Sequence, residues 1–167
     1  MTSRFQELMN NLEQLRLTKM SAYLPEYLDQ INGKQLSFTE AMLNLTKAEL
    51  DWRQGEHVDR IIKRARFPQV KLLKAFDFDF QPSVNRQLVM SFQDLAFLEK
   101  HENLIFIGSP GVGKTHLAIG VGIAACQQNK RTLFVNCHEL RLRLGAAYKK
   151  GTLDRCIRRY ARYDLLI

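Results

Sequence analysis

The stretch "IFIGSPGVGKTHLAIGVG", residues 105–122, decides how the rest of the sequence is interpreted. An apolar run leads into a glycine-rich turn, and the turn leads into a second apolar run with helical character. Gly108, Gly113, Lys114 and Thr115 satisfy the spacing G-x-x-x-x-G-K-[ST], placed after an apparent strand and at the start of an apparent helix. Glycines permit the backbone angles with which successive N–H groups can surround phosphate oxygens. The stretch therefore predicts a phosphate-binding loop.

Each part of this loop has an expected task. Lys114 is expected to bind the β- and γ-phosphates of ATP as a point charge, and the Thr115 hydroxyl is expected to ligate Mg²⁺. The helix N-terminus adds partial positive charge. His116 is interpreted as a helical residue packing beside the loop, since phosphoryl transfer at such loops needs no imidazole base. The predicted nucleotide-contacting residues are Gly108, Ser109, Pro110, Gly111, Val112, Gly113, Lys114, Thr115 and His116.

Strand and helix patterns alternate on both sides of the loop. "NLIFIG" before it predicts a strand, and a helix is expected over residues 114–129. "RTLFVNC" predicts a second strand, residues 138–162 a helical region interrupted at Gly151, and "YDLLI" the opening of a third strand. Upstream, "FDFDFQPSVNRQ" is interpreted as a linker, followed by a helix over residues 83–99. This alternation is typical of a parallel α/β sheet.

The N-terminal part has helical periodicity instead. A first helix is expected from Phe5 with Ser3 as its N-cap, and Ser37 and Glu40 have the spacing of a capping box. The pattern that follows predicts one long helix, or two helices broken near Gly55. The predicted fold class is α/β: an N-terminal helical domain, residues 1–70, followed by the first part of a phosphate-loop parallel α/β domain, residues 71–167.

The charge pattern indicates a polyanionic partner. The formal net charge is +8, and the positive excess lies in two blocks: residues 53–74 contain 7 Lys/Arg against 2 Asp/Glu, and residues 129–167 contain 10 against 3. These blocks are either solvated helix faces or contacts to nucleic-acid phosphates. The candidates for contact with nucleic-acid phosphates are Arg60, Lys63, Arg64, Arg66, Lys149, Lys150, Arg158 and Arg159, and the family resemblance given below specifies DNA.

Three cysteines at wide spacing indicate neither a disulfide framework nor a zinc site, and reduced thiols in a cytoplasmic protein are expected. The longest apolar run, "LAIGVGIAAC", is too short to cross a bilayer, and the N-terminus has no signal-peptide pattern. We therefore expect no membrane association.

Several segments resemble one family. "FDFDFQPSVNRQ", "LEKHENLIFIGSPGVGKTHLAIGVG" and "AYKKGTLDRCIRRYARYDLLI" resemble the IstB/DnaC-like branch of AAA+ ATPases, in particular the ATP-binding helpers encoded beside transposases. "LSFTEAMLNLTKAEL" and "RARFPQVK" are similar to the helical domain of these helpers. The resemblance implies an ATP-binding protein that assembles as a homo-oligomer on DNA, with little sequence preference, and recruits or activates a cognate transposase.

The resemblance also implies a departure. Family members continue beyond a segment like "YDLLI" into the Walker B Asp-Glu pair, further strands, a sensor residue and an arginine finger, and Asp164 precedes its apolar run rather than following it. We therefore interpret the chain as a form truncated before Walker B, with little or no hydrolysis and no predicted catalytic residue. In the sheet order 5-1-4-3-2 that the resemblance implies, the loop strand lies between two absent strands, so we expect a marginally stable or aggregation-prone product.

Three other functions remain open. A DnaC-like helicase loader is the alternative within AAA+ proteins, and a non-catalytic DNA- or transposase-binding module is the alternative from another class. A small-molecule kinase fits least well, because no acceptor site or lid is visible.

Overall fold

Residues 3–33 and 35–167 are described by a computed structural model, in which contacts divide the chain into two units, Met1–His57 and Val58–Ile167. The helices of the described ranges are α1 (Arg4–Gln14), α2 (Thr18–Asn32), α3 (Phe38–Ala65), α4 (Arg86–Ser91), α5 (Ala96–Glu99), α6 (Lys114–Gln127), α7 (Cys137–Lys149) and α8 (Leu153–Tyr160). The strands are β1 (Thr132–Leu133) and β2 (Leu165–Leu166). The division falls inside α3, whereas the functional boundary at residue 70 stays a prediction.

The N-caps of the first unit follow the sequence pattern. The Ser3 hydroxyl accepts a hydrogen bond from the Gln6 N–H at 3.2 Å and begins α1. At α3 the capping box is reciprocal: the Ser37 N–H donates to the Glu40 carboxylate at 3.0 Å, and the Glu40 N–H donates to the Ser37 hydroxyl at 3.2 Å. These bonds satisfy backbone donors that no helical carbonyl can reach. Both cap predictions are confirmed.

Of the two alternatives for the second helical pattern, the single long helix is correct. Helix α3 has 28 residues and runs through Gly55 without a break. A glycine in a helix interior costs only about 1 kcal/mol relative to alanine, which its helix-favouring neighbours can offset. The helix ends at Ala65, and Arg66 follows with a φ of +62° before Pro68.

A buried carboxylate joins the three helices of the first unit. Glu49 on α3 is 3% exposed, and its Oε2 accepts from the N–H groups of Lys19 at 2.7 Å and Met20 at 3.3 Å, in the first turn of α2. Arg53 donates to Glu49 Oε1 at 2.8 Å and to the Arg16 carbonyl at 2.9 Å, just after α1. An α3 side chain thus supplies the N-cap that α2 lacks from its own sequence.

The sheet of the second unit is parallel, as the alternation predicted. Strand β1 pairs with β2 in the register Thr132 to Leu165 and Leu133 to Leu166. The Arg131–Asp164 pair fixes the start of both strands: the Asp164 carboxylate accepts from the Arg131 N–H at 2.7 Å and from its Nη2 at 3.0 Å. These bonds from Arg131 lower the pKa of Asp164. The second and third predicted strands are therefore confirmed.

The predicted strand "NLIFIG" is wrong. Residues 103–108 have no regular secondary structure, and in the described ranges only β1 and β2 pair as strands. Leu104 and Phe106 pack against the core, whereas Ile105 and Ile107 are 79% and 90% exposed. The side chains keep the alternation of a strand, but no neighbouring backbone completes a hydrogen-bonded ladder.

The predicted helix over residues 83–99 is also wrong as a continuous element. Asn85 caps α4 by accepting from the Leu88 N–H at 3.0 Å, and a 3-10 turn, Phe92–Asp94, follows. Leu95 then adopts a φ of +57° while its side chain lies in the core at 2% exposure, and α5 begins after it. Burial of the Leu95 side chain offsets the cost of its left-handed backbone conformation, which ends the helical segment. The interruption at Gly151 between α7 and α8 is confirmed, with a φ of +64°.

Helix α6 forms the centre of the second unit. Its residues 119–126 are all buried, and Leu117 and Val121 join a cluster with residues from α4, from α5 and from residues 66–85, the whole segment between α3 and α4, which is called the linker from here on. The members of that cluster are Leu73, Phe76, Val89, Leu95, Phe97, Leu117, Val121 and Ala125. No helix of the described ranges is both long and apolar enough to span a membrane.

Replacing Glu49 with Gln is expected to lower the free energy of unfolding of the first unit by about 1.5–3 kcal/mol, because charge-assisted hydrogen bonds to a buried carboxylate are removed. Burial raises the pKa of Glu49, but the bonds from Arg53 and from two backbone N–H groups outweigh it and leave the pKa lowered. The stabilisation is therefore complete above the unfolded pKa of about 4.3 and is lost as the pH falls through the folded pKa. Urea unfolding followed by Trp52 fluorescence measures this difference.

The matched control is Glu13→Gln on the exposed face of α1. An equal effect of the two substitutions, or a Glu49→Gln effect that persists unchanged below pH 4, would contradict the assignment of Glu49 as the cap of α2.

Candidate nucleotide site and basic surfaces

The loop of residues 108–115 has the backbone geometry of an anion cradle. Gly111 and Gly113 have φ values of +84° and +88°, in the left-handed region where only glycine is unstrained. Gly113 is the N-cap of α6 and supplies no side-chain acceptor to its first turn. The first N–H groups of α6 and the positive end of its dipole therefore lie at the end of the loop.

Lys114 places its charge within this loop. Its Nζ donates to the Gly108 carbonyl at 2.9 Å and to the Ser109 carbonyl at 2.7 Å. Both acceptors are neutral, so they compete weakly with a charged phosphate oxygen for the same ammonium group. The position of Lys114 fits its predicted role.

The remaining loop residues are mostly accessible to solvent, as a ligand-binding loop requires. Ser109, Pro110 and Thr115 are exposed, and Val112 is half-buried. A Cβ added at Gly108 would lie 3.2 Å from Val112 Cγ2, so the loop closes tightly at its start. The loop offers a triphosphate three kinds of polar group: backbone N–H donors, the Lys114 ammonium and the Thr115 hydroxyl. Their contacts to nucleotide stay predictions.

The linker supports the loop from beneath, a role that sequence reasoning missed. A Cβ on Gly113 would lie 2.5 Å from Cε2 of Phe76, whose ring is 7% exposed. Further along α6, a Cβ on Gly120 would lie 2.7 Å from Cδ2 of Leu73. The aromatic alternation of "FDFDF" marks this segment, although the sequence alone assigns it only to a linker.

His116 is engaged with the same linker. Its Nε2 lies 2.9 Å from the Leu72 carbonyl, and its ring packs edge-on against Phe76 with centroids 5.3 Å apart. These contacts match the interpretation of His116 as a packing residue. Its inclusion among the nucleotide-contacting residues stays untested.

The predicted magnesium site rests on Thr115 alone. In residues 3–33 and 35–167 no group of three or more His, Cys, Asp or Glu side chains is arranged to hold a metal ion. Asp164 is engaged by Arg131, whose Nη2 lies 3.0 Å from its Oδ1. The cysteines of the described ranges are free: Cys126 is buried, Cys137 is exposed, and Cys156 is half-buried.

All eight residues assigned to DNA lie on the surface, at the ends of helices. Arg60, Lys63 and Arg64 lie in the last turns of α3, Lys149 lies in the last turn of α7, and Arg158 and Arg159 lie in the last turn of α8. Cations in these places also stabilise the helix dipole. Exposure therefore permits contact with phosphate without requiring it.

The structure links the end of the first basic block to α7. Arg66, Asn136, Glu139 and Arg143 line one groove of about 230 Å³. Hydrogen bonds to Tyr160 and Glu139 raise the pKa of Arg143, so this guanidinium is already paired. Arg53 also belongs to the first basic block, and its guanidinium forms an ion pair with Glu49 within the first unit.

A glycine-rich loop that follows an apolar segment and leads into a buried helix, in a unit with a parallel strand pair, is typical of a phosphate-loop nucleotide-binding domain. Comparison with known proteins identifies the family: the model for IstB-like ATP-binding proteins matches residues 10–167. The chain belongs to this family, and the resemblance drawn from the sequence is confirmed.

Three relatives are proteins named for ATP binding in insertion sequences. The protein of insertion sequence IS232 from Bacillus thuringiensis subsp. berliner is 40% identical over 167 residues, which is 100% of this chain and 67% of that protein. The IS21 protein of Pseudomonas aeruginosa is 36% identical over 93% of this chain and 59% of its own length. The IS5376 protein of Geobacillus stearothermophilus is 31% identical over 100% of this chain and 65% of its own length. The chain thus spans about two thirds of these relatives.

Gly113→Ala is expected to destabilise the second unit more than Gly111→Ala. Both substitutions place alanine at a left-handed φ, which costs about 1–2 kcal/mol. Only at Gly113 does the new methyl group meet a buried ring, whereas at Gly111 nothing lies within 4 Å. Urea unfolding followed by far-UV circular dichroism compares the two. Equal losses of stability would contradict the packing of Phe76 under the loop.

Proposed function

We propose that this chain is the nucleotide-binding part of an insertion-sequence transposition helper, which binds ATP with Mg²⁺ at residues 108–115 and binds DNA through its basic surfaces. The nucleotide part depends on one observation. Gly111 and Gly113 adopt left-handed backbone conformations at the start of α6, where no side chain caps the helix, and the Lys114 ammonium lies inside the loop. Membership of the IstB-like ATP-binding family supports the identity of the nucleotide.

Each loop residue has a defined part in this proposal. Backbone N–H groups between Ser109 and Thr115 donate to the phosphates. Lys114 exchanges its two carbonyl acceptors for phosphate oxygens, an exchange that favours binding because charge-assisted bonds are about twice as strong as neutral ones. The Thr115 hydroxyl would hold Mg²⁺, which would supply positive charge beside the phosphates.

The DNA part of the proposal depends on charge distribution. The second unit contains 19 Lys/Arg against 9 Asp/Glu, whereas the first contains 6 against 8. On α8, Arg155, Arg158 and Arg159 follow at spacings of three and four residues, with Arg162 just beyond the helix, so they share one exposed face. Such a row suits phosphate contacts with little sequence preference.

The partners follow from the relatives. Their names place them in insertion sequences. We therefore propose that the chain acts in the cytoplasm with a cognate transposase, which it recruits or activates on DNA.

Lys114→Ala is expected to weaken binding of a fluorescent ATP analogue by at least about a hundredfold, because the charged interaction with the β- and γ-phosphates is removed. Lys100→Ala, an exposed lysine at the end of α5, is the matched control and is expected to bind like the unchanged chain. Titration of each variant with the analogue, in the presence and absence of Mg²⁺, gives the dissociation constants to be compared. Unchanged binding by Lys114→Ala would refute the assignment of the loop.

Replacing Arg155, Arg158 and Arg159 together with Gln is expected to weaken binding to duplex DNA, because fewer phosphates are neutralised. The slope of log K against log salt is expected to become shallower by about 0.9 for each phosphate that the variant no longer neutralises. A control removes Arg4, Lys47 and Lys100, exposed cations outside both basic blocks. Fluorescence anisotropy on two unrelated duplexes tests the proposal, with equal reductions expected on both. If the α8 variant keeps its affinity and salt slope while losing stability, Arg158 and Arg159 serve the helix dipole only, and the proposed DNA contact of α8 is wrong.

A further inference from the structure

The linker before α4 contacts α6 at three successive turns. His116 reaches the Leu72 carbonyl, Phe76 covers Gly113, and Leu73 covers Gly120. Within the second unit, this segment therefore follows the first half of α6 and lies directly beneath the start of the helix. None of these linker residues belongs to the loop motif.

Phe76 fixes the loop at its most constrained point. The ring lies where the side chain of any other residue at position 113 would be, and it is held in turn by edge-on contacts to Phe78 at 4.9 Å and to His116 at 5.3 Å between centroids. The Gly113 carbonyl accepts the bond from the Leu117 N–H at 3.0 Å that opens α6. Displacing the ring therefore displaces both the left-handed glycine and the first turn of the helix.

His116 fixes the same turn through a second contact with the linker. The Leu72 carbonyl can only accept, so Nε2 of His116 carries the proton and donates across 2.9 Å. The ring is half-buried, and its bond ties the third residue of α6 to linker backbone, whose position does not depend on side-chain rotamers.

We propose that Phe76 and His116 are positioning residues for nucleotide binding: they hold Gly113 and the first turn of α6 so that the loop N–H groups and Lys114 converge on the phosphates. The inference rests on the proposed nucleotide function of the loop. As positioning residues they need no contact of their own with phosphate. They act through Gly113, and a displacement of the order of 1 Å in such a cradle is enough to weaken binding strongly.

The test compares Phe76→Leu with Val89→Ala in the whole chain. Val89 is buried in the same cluster but lies on α4, so its truncation lowers stability without touching the loop. Two quantities are measured: the affinity for a fluorescent ATP analogue, and hydrogen exchange of the Leu117 amide without nucleotide. Phe76→Leu is expected to weaken affinity and to accelerate exchange, each by about tenfold or more, and Val89→Ala is expected to keep affinity within about twofold.

His116 is tested by rescue. His116→Leu removes the donor to the Leu72 carbonyl and is expected to act like Phe76→Leu, whereas His116→Gln retains an N–H donor and is expected to recover most of the affinity. Equal affinities of Phe76→Leu and Val89→Ala at matched stability, or of His116→Leu and the unchanged chain, would overturn the inference.

Failure of the proposed function has a different signature. If the unchanged chain does not bind the analogue while Phe76→Leu still accelerates exchange of Leu117, the nucleotide proposal falls and the positioning of the loop by Phe76 stands. If exchange is unaffected by Phe76→Leu, the positioning role falls whatever the affinity.

Discussion

The constraint on which the second unit depends is the contact between an aromatic ring and a glycine without a side chain. Phe76 occupies the space beside Gly113, and Gly113 takes a φ of +88° that turns the chain from the loop into α6. The loop therefore keeps its shape because a buried side chain from a distant part of the sequence fills that space. The same helix continues as the most deeply buried element, so the loop is anchored on the core rather than carried by a free segment.

The first unit is stabilised by a different kind of interaction. Its apolar cluster is small, with Leu12, Met20, Leu24 and Leu45 as the buried members. Glu49 adds hydrogen bonds that a small core cannot supply, because one carboxylate caps α2 and, through Arg53, reaches the end of α1. Its negative charge is compensated within the unit, so burial of this carboxylate is consistent with a stable helix arrangement.

Local signals in the sequence predicted much of the fold and the identity of the loop. The caps at Ser3 and Ser37 depend on residues only three positions apart, and the loop motif is defined by residues that are close in sequence. Both could therefore be predicted. Helix α2 was missed because Pro25 lies inside it and because its N-cap comes from Glu49, about thirty residues away. The supporting role of Phe76 was missed for the same physical reason, since packing between distant segments leaves no local pattern. Residues 103–108 are the opposite case: their apolar alternation predicts a strand, but a strand also requires a hydrogen-bonded neighbour, and only β1 and β2 pair in the described ranges.

The central claim is that the backbone at the start of α6 forms the phosphate cradle. The most direct measurement follows the amide resonances of ¹⁵N-labelled protein during titration with a non-hydrolysable ATP analogue and Mg²⁺. The account predicts that the largest shifts occur at Gly111, Gly113, Lys114 and Thr115, and that the Lys114→Ala chain shows none of them at the same concentration. Shifts confined to other parts of the chain, or absent at saturating nucleotide, would contradict it.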